Sequence, residues 1–164
     1  MPMSERDQFI QVWEREFQTT LKVFKAYPSA KGDLQPHSKC PNANELAWRM
    51  VGEEKVFVNG AITGNFDFTL MGKAPGTMQE IISSYEKGHV EHLDKVKKMT
   101  DADFSKMVKF FVAPKTMGDI RSADALWTMM MDTIHHRGQF SVYLRMADAK
   151  VPSIYGPSAD EPWM

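Results

Sequence analysis

The sequence predicts an all-α protein, a four-helix bundle whose long helices are joined by long crossover connections. Three observations carry this. Apolar residues recur at spacings of three and four through four long segments, the mark of helices with one buried face. Proline, glycine and asparagine fall between those segments. The 164 residues allow one sizeable core and are too few for two domains.

The first helix is expected from about Ser4 to Ala26. Phe9, Trp13, Phe17, Leu21 and Phe24 make its apolar stripe, Ser4 is placed to cap it, and Pro28, Gly32 and Pro36 end the pattern. The second begins near Asn42 or Asn44 and runs to about Thr63, with Leu46, Met50 and Phe57 on one face and Gly64 and Asn65 as stop signals. The connection from Asn65 to Gly76 is long for a helical hairpin and suits a crossover. The third helix spans about Thr77 to Lys98. Thr77 and Glu80 have the spacing of a capping box, and Ile81, Ile82, Tyr85, His89, His92, Leu93 and Val96 form its inner side. Thr100 to Ser122 reads as an irregular crossover, with Val108 to Val112 extended or a short strand. The fourth long helix begins at Ser122 or Ala123 and continues to about Asp148, with Leu126, Met129, Met130, Phe140, Tyr143 and Leu144 inward. Pro152, Gly156, Pro157 and Pro162 keep residues 151–164 out of any helix, as an irregular tail.

Charge and composition narrow the function classes. The net charge is −1 and basic residues are interleaved with acidic ones, so nothing draws the chain to a phosphate backbone; no nucleic-acid role is expected. No apolar run is long enough to cross a bilayer, so no membrane role is expected either. Cys40 is the single cysteine, which excludes an intrachain disulfide and fits a cytoplasmic location.

The strongest chemical signal lies in the fourth long helix. Asp132 stands four residues before His136, so the two side chains share a face. A carboxylate and an imidazole at that spacing either grip one divalent cation or form a hydrogen-bonded pair. His89 and His92, three apart on the third helix, offer another donor pair or a hydrogen-bonded core pair. His37 and Cys40 share a loop, but nothing nearby completes a tetrahedral site. Glu53 and Glu54 are candidate general bases, with at least one expected at the surface. Trp48, Trp127, Tyr143 and Tyr155 are candidate pocket walls or core residues.

The stretch His135 to Arg145 (HHRGQFSVYLR), with the tail from Lys150 to Glu161, resembles the C-terminal signature of the DinB/YfiT-like superfamily; Asn44 to Glu54 (NELAWRMVGEE) resembles its second-helix signature. The resemblance covers nearly the whole chain and implies a single domain over residues 1–164. It implies a metal pocket at one end of the bundle, a homodimer, and activities such as thiol-dependent S-transfer. It also implies a metal triad of one histidine from the second helix and two, four apart, from the fourth. His136 matches the last of these, Asp132 stands at the middle position and Arg49 at the second-helix position. A guanidinium offers no lone pair to a metal. The resulting expectation is an altered site in which Arg49, Glu53, Asp132 and His136 line a pocket and Arg49 pairs with Asp132. The protein would then be a metal-free binding protein for a small molecule, or a degenerate enzyme. Arg49 could instead point outward and pair with Glu45 or Glu53. The alternative is a metal-dependent transferase or hydrolase holding zinc or nickel through Asp132 and His136.

Overall fold

The computed structural model describes residues 3–164. Its four long helices stand where the apolar spacing places them: α1 (Glu5–Lys25), α2 (Ala43–Thr63), α3 (Met78–Lys97) and, after a five-residue α4 (Asp101–Ser105), α5 (Ser122–Met146). The capping signals are used. Ser4 Oγ accepts from the Asp7 amide at 3.1 Å, and Thr77 and Glu80 form a reciprocal capping box. Asn42 forms another box with Glu45. Gly64 ends α2 at φ +84°, a left-handed conformation that glycine adopts without steric cost. No helix is long and apolar enough to cross a membrane among the described residues.

The segment between α3 and α5 is more regular than its sequence suggests. Beyond α4, strands β1 (Met107–Ala113) and β2 (Thr116–Arg121) form an antiparallel hairpin, with Val108 opposite Ile120 and Phe110 opposite Gly118. Alternation is the reason. Val108 and Phe110 face the bundle while Met107 and Phe111 are exposed, the two-residue period of a half-buried strand. Pro114 and Lys115 make the tight connection, with Lys115 at φ +60°. Two short 3-10 turns, Ser29–Lys31 and Phe68–Met71, occupy the other connections.

Within the bundle α2 packs against α3 and α5, and α1 packs against the same two helices. The core is divided. One apolar cluster holds Phe17, Phe24, Leu46, Met50, Ile81, Phe140 and Leu144; the other holds Phe9, Trp13, Val56, Leu126 and Met129. Between them every long helix contributes buried polar side chains: Glu16 and Thr20 from α1, Glu54 from α2, His89 and His92 from α3, Thr133, His136 and Arg137 from α5. The bundle therefore has a polar waist, and the fully buried charges Glu16, Glu54 and Arg137 in it are partnered. Arg137, 1% exposed, donates through Nη2 to Glu16 Oε2 at 2.8 Å and through Nη1 to the Glu16 carbonyl at 3.2 Å and Thr20 Oγ1 at 3.1 Å. Tyr155, from the tail, donates to Glu16 Oε2 at 2.5 Å and accepts from Arg137. Burial pushes the Glu16 carboxyl up, but the Tyr155 and Arg137 hydrogen bonds outweigh it and hold it below its usual range.

The irregular tail is fastened by two acids. Asp160 Oδ2 accepts from Arg145 Nη2 at 2.5 Å and from the Val151 amide at 2.9 Å. Glu161 Oε2 accepts from Lys22 Nζ at 2.7 Å and from the Ser153 amide and hydroxyl at 2.8 and 2.9 Å.

Two outcomes follow from this architecture. Arg137→Ala strands a buried carboxylate and is expected to cost about 3–5 kcal/mol in chemical denaturation, whereas pairing Arg137→Met with Glu16→Leu recovers most of that loss; equal losses in both variants would contradict it. For the tail, the hydrogen bonds from Lys22 and Ser153 bring the Glu161 carboxyl down to about 2 from an ordinary 4.5. A depressed acid stabilises the docked form above its unfolded pKa and loses that stabilisation as pH falls through its folded pKa. Hydrogen-exchange protection of the Val151 and Ser153 amides should therefore drop between about pH 4.5 and 2, and unchanged protection across that window would refute the linkage.

Candidate metal centre

The polar waist brings three potential metal donors to one point on the α2–α5 side. Oxygens of Glu53 and Asp132 and a ring nitrogen of His136 all lie within 4.8 Å of one another, the one group of three such donors among the described residues. The helical period explains the grouping. Asp132 and His136, one turn apart, present Oδ2 and Nε2 3.4 Å from each other. Glu53 arrives from α2, which packs directly against α5.

The electrostatics are those of two carboxyl groups crowded together. Burial, then the facing Asp132 carboxylate, push the Glu53 carboxyl up to about 8, against the opposing pull of Arg49. Glu53 Oε2 is buried with no hydrogen-bond partner. On the other side of the ring, His136 Nδ1 lies 2.9 Å from Gln139 Oε1, while Gln139 Nε2 lies 3.0 Å from His135 Nε2. With the amide nitrogen donating to His135, the amide oxygen accepts from His136 Nδ1–H. The Nε2 lone pair of His136 is then directed toward Asp132, the tautomer a metal requires.

The donor set fits a divalent cation. Two donors about 2.1 Å from an ion, separated by a tetrahedral angle, lie about 3.4 Å apart. That matches the Asp132–His136 separation. Two carboxylates balance a divalent charge, and Glu53 Oε2 would gain the partner it lacks. An open cleft of about 530 Å³ lies over the donors, lined by Glu53, Asp132 and His135 with Phe57, Phe68 and Phe110 as an aromatic wall. Three protein donors beside an open cleft is the pattern of a catalytic rather than a structural site.

Several sequence-level expectations are corrected here. Arg49 does not pair with Asp132. It is exposed, and among the described residues it forms no ion pair with Asp132, Glu45 or Glu53. Glu45 is committed to the α2 cap, where its carboxylate accepts from the Asn42 amide at 2.9 Å. The group forms at the central turns of α2 and α5, between the two apolar clusters, and not at an end of the bundle. Neither Glu53 nor Glu54 is a surface residue. Glu54 faces α3, where its carboxylate accepts from His92 Nδ1 at 2.9 Å and His89 Nδ1 at 3.3 Å. Burial pushes its pKa up, but the hydrogen bonds from His89 and His92 prevail and hold it down. His89 also stacks on Phe17 at a centroid separation of 3.8 Å, a core placement. His37 and Cys40 remain a turn: His37 Nδ1 accepts from the Lys39 amide and the Cys40 amide donates to the His37 carbonyl.

The role of Glu53 as third donor was legible only in part. It lies four residues beyond Arg49, on the same side of the second helix and one turn nearer the waist. Gln139, four residues after His135 and three after His136, carried a similar helical-face signal.

Comparison with known proteins agrees with this architecture. The DinB family model matches residues 1–163. A Bacillus subtilis (strain 168) protein named "Uncharacterized protein YrdA" is 27% identical over 161 residues, covering 94% of this chain and 90% of that one. Among solved structures, a DinB-like protein from Bacillus cereus ATCC 10987 superposes with a TM-score of 0.76 at 22% identity, covering 90% of this chain and 95% of its own. The DinB-like YjoA of Bacillus subtilis gives a TM-score of 0.72 at 15% identity over 96% and 99% of the two chains. The structural likenesses speak to the fold, and the family model, spanning nearly every residue, establishes that this chain belongs to the DinB family.

Proposed function

We propose that this protein is a metal-dependent enzyme, a transferase or hydrolase, holding one first-row divalent cation through Glu53, Asp132 and His136. The observation that carries this reading is the meeting of two carboxylates and an oriented imidazole beneath an open cleft. A cation bound there supplies Lewis acidity and lowers the pKa of a bound water or thiol. The protein's own residues do the rest. Gln139 fixes the His136 ring, and Glu53, half-buried, provides a negative charge screened little by solvent. Phe57, Phe68 and Phe110 offer an apolar seat that orients a small substrate and sheds water from the reacting group. Mixed oxygen and nitrogen donors without thiolate suit zinc, manganese, iron or nickel. The metal-free binding reading expected Arg49 to pair with Asp132, and no such ion pair forms among the described residues.

Titration of chelator-treated protein with zinc, nickel and manganese tests the proposal. One equivalent is expected to bind, with Asp132→Ala or Glu53→Ala weakening binding at least tenfold and Arg49→Ala leaving the stoichiometry unchanged. Because the Glu53 carboxyl sits at about 8, loading at pH 7 releases a proton, and the calorimetric heat depends on the ionisation enthalpy of the buffer. No saturable binding by any of the three metals would return the protein to the metal-free class.

The same titration checks the positioning role of Gln139. Gln139→Ala removes the acceptor for His136 Nδ1 and is expected to lower metal affinity about 10–100-fold. Gln139→Glu, which keeps an acceptor oxygen, should retain most of it. Identical losses in the two variants would show that the hydrogen bond does not set the ring.

A further inference from the structure

On the other flank of α2 lies a second cavity, of about 350 Å³, between α2, α3 and the 3-10 turn at Phe68–Met71. Its wall is apolar, formed by Trp48, Leu70 and Met71, and the Trp48 indole N–H donates to the Met71 carbonyl at 2.9 Å, fixing turn and ring together. The cations Lys55 and Lys87 line it and form no ion pair among the described residues; Glu91 is the single acid in the lining. His92 also lines the cavity. Its Nδ1 is spent on Glu54. A carboxylate only accepts, so Nδ1 carries the proton and Nε2 carries a lone pair. Unlike His89 Nε2, which is sealed in the core, His92 Nε2 is neither hydrogen-bonded nor buried away.

Two further facts set this cavity apart from a packing gap. The Glu54–His92 pair is a buried carboxylate fixing an imidazole, an arrangement that costs desolvation and yields one oriented acceptor. Gly88 lies inside α3, where glycine weakens a helix, yet packing does not demand it. A Cβ there would meet its nearest neighbour, His92 Cε1, at an ordinary 3.5 Å. What Gly88 preserves is space beside His92.

We propose that this cavity is a binding site, distinct from the metal centre, for a small aromatic acid bearing a hydroxyl or amino donor. The carboxylate meets Lys55 and Lys87, the ring lies on Trp48, Leu70 and Met71, and the donor reaches His92 Nε2. A ring of this size with two short substituents fits within the volume.

Three probes of similar shape separate these contributions in calorimetric or NMR titrations of the full-length protein: 4-hydroxyphenylacetate, phenylacetate lacking the donor, and 4-ethylphenol lacking the acid. 4-hydroxyphenylacetate is expected to bind with a Kd of about 1 mM or tighter, and each of the others about tenfold more weakly. Lys55→Ala with Lys87→Ala should weaken the hydroxy acid about tenfold and leave the uncharged 4-ethylphenol unaffected. Gly88→Leu fills the cavity and favours the helix. It should abolish binding while preserving helical circular dichroism and metal uptake at Glu53, Asp132 and His136, so that loss of this site is distinguishable from failure of the metal reading. No saturable binding of the hydroxy acid at about 10 mM, equal affinity for all three probes, or undiminished binding to Gly88→Leu would overturn the proposal.

Discussion

The structure depends on the pairing of charges buried at the middle of the bundle. Four helices meet there with polar side chains turned inward, and a lone ion in such a setting costs several kcal/mol. Arg137 and Glu16 answer one another across α5 and α1, with Thr20 and Tyr155 taking the remaining hydrogen bonds. Glu54 is answered by two imidazoles of α3. Apolar packing resists sliding and rotation through shape, and these pairs add directional contacts that the same motions would break. They set the register in which the two apolar clusters close above and below. Glu53 and Asp132 are the exception at this level: two acids drawn together by the same packing with no cation of the chain bonded between them.

This arrangement also decides what a reader of the sequence could recover. The helices were legible because one-sided burial imposes a period on the residues, and their starts because Ser4, Asn42 and Thr77 do a chemical task that few other side chains do. The hairpin was half legible. Its alternation is short, and the exposed Phe111 and Val112 mask it by adding apolar residues to the outer face. Asp132 and His136 announced themselves by lying a turn apart on one helix. Glu53 was placed beside them only through the resemblance and not as a metal donor, because its partners lie on another helix and no spacing within α2 reports which residues of α5 it will face.

Arg49 shows the hazard of reading a site position by position. The second-helix signature places the donor at Arg49, and the expected consequence was a cation filling a metal site. The side chain instead lies at the surface, while the residue a turn further on brings a carboxylate to the same neighbours. Residues four apart share a helical face, so the unit that meets a ligand is the face, and either of two turns can supply the donor.

The consecutive glutamates of α2 have a mechanical consequence. Successive residues project about 100° apart around a helix, so Glu53 turns to α5 and Glu54 to α3 from one rigid cylinder. The 3-10 turn beside it is shared in the same way, Phe68 bordering one cleft and Leu70 and Met71 the other. The contacts of Glu54 with α3 therefore fix the direction of Glu53 as well, and both clefts are built on one azimuth of α2.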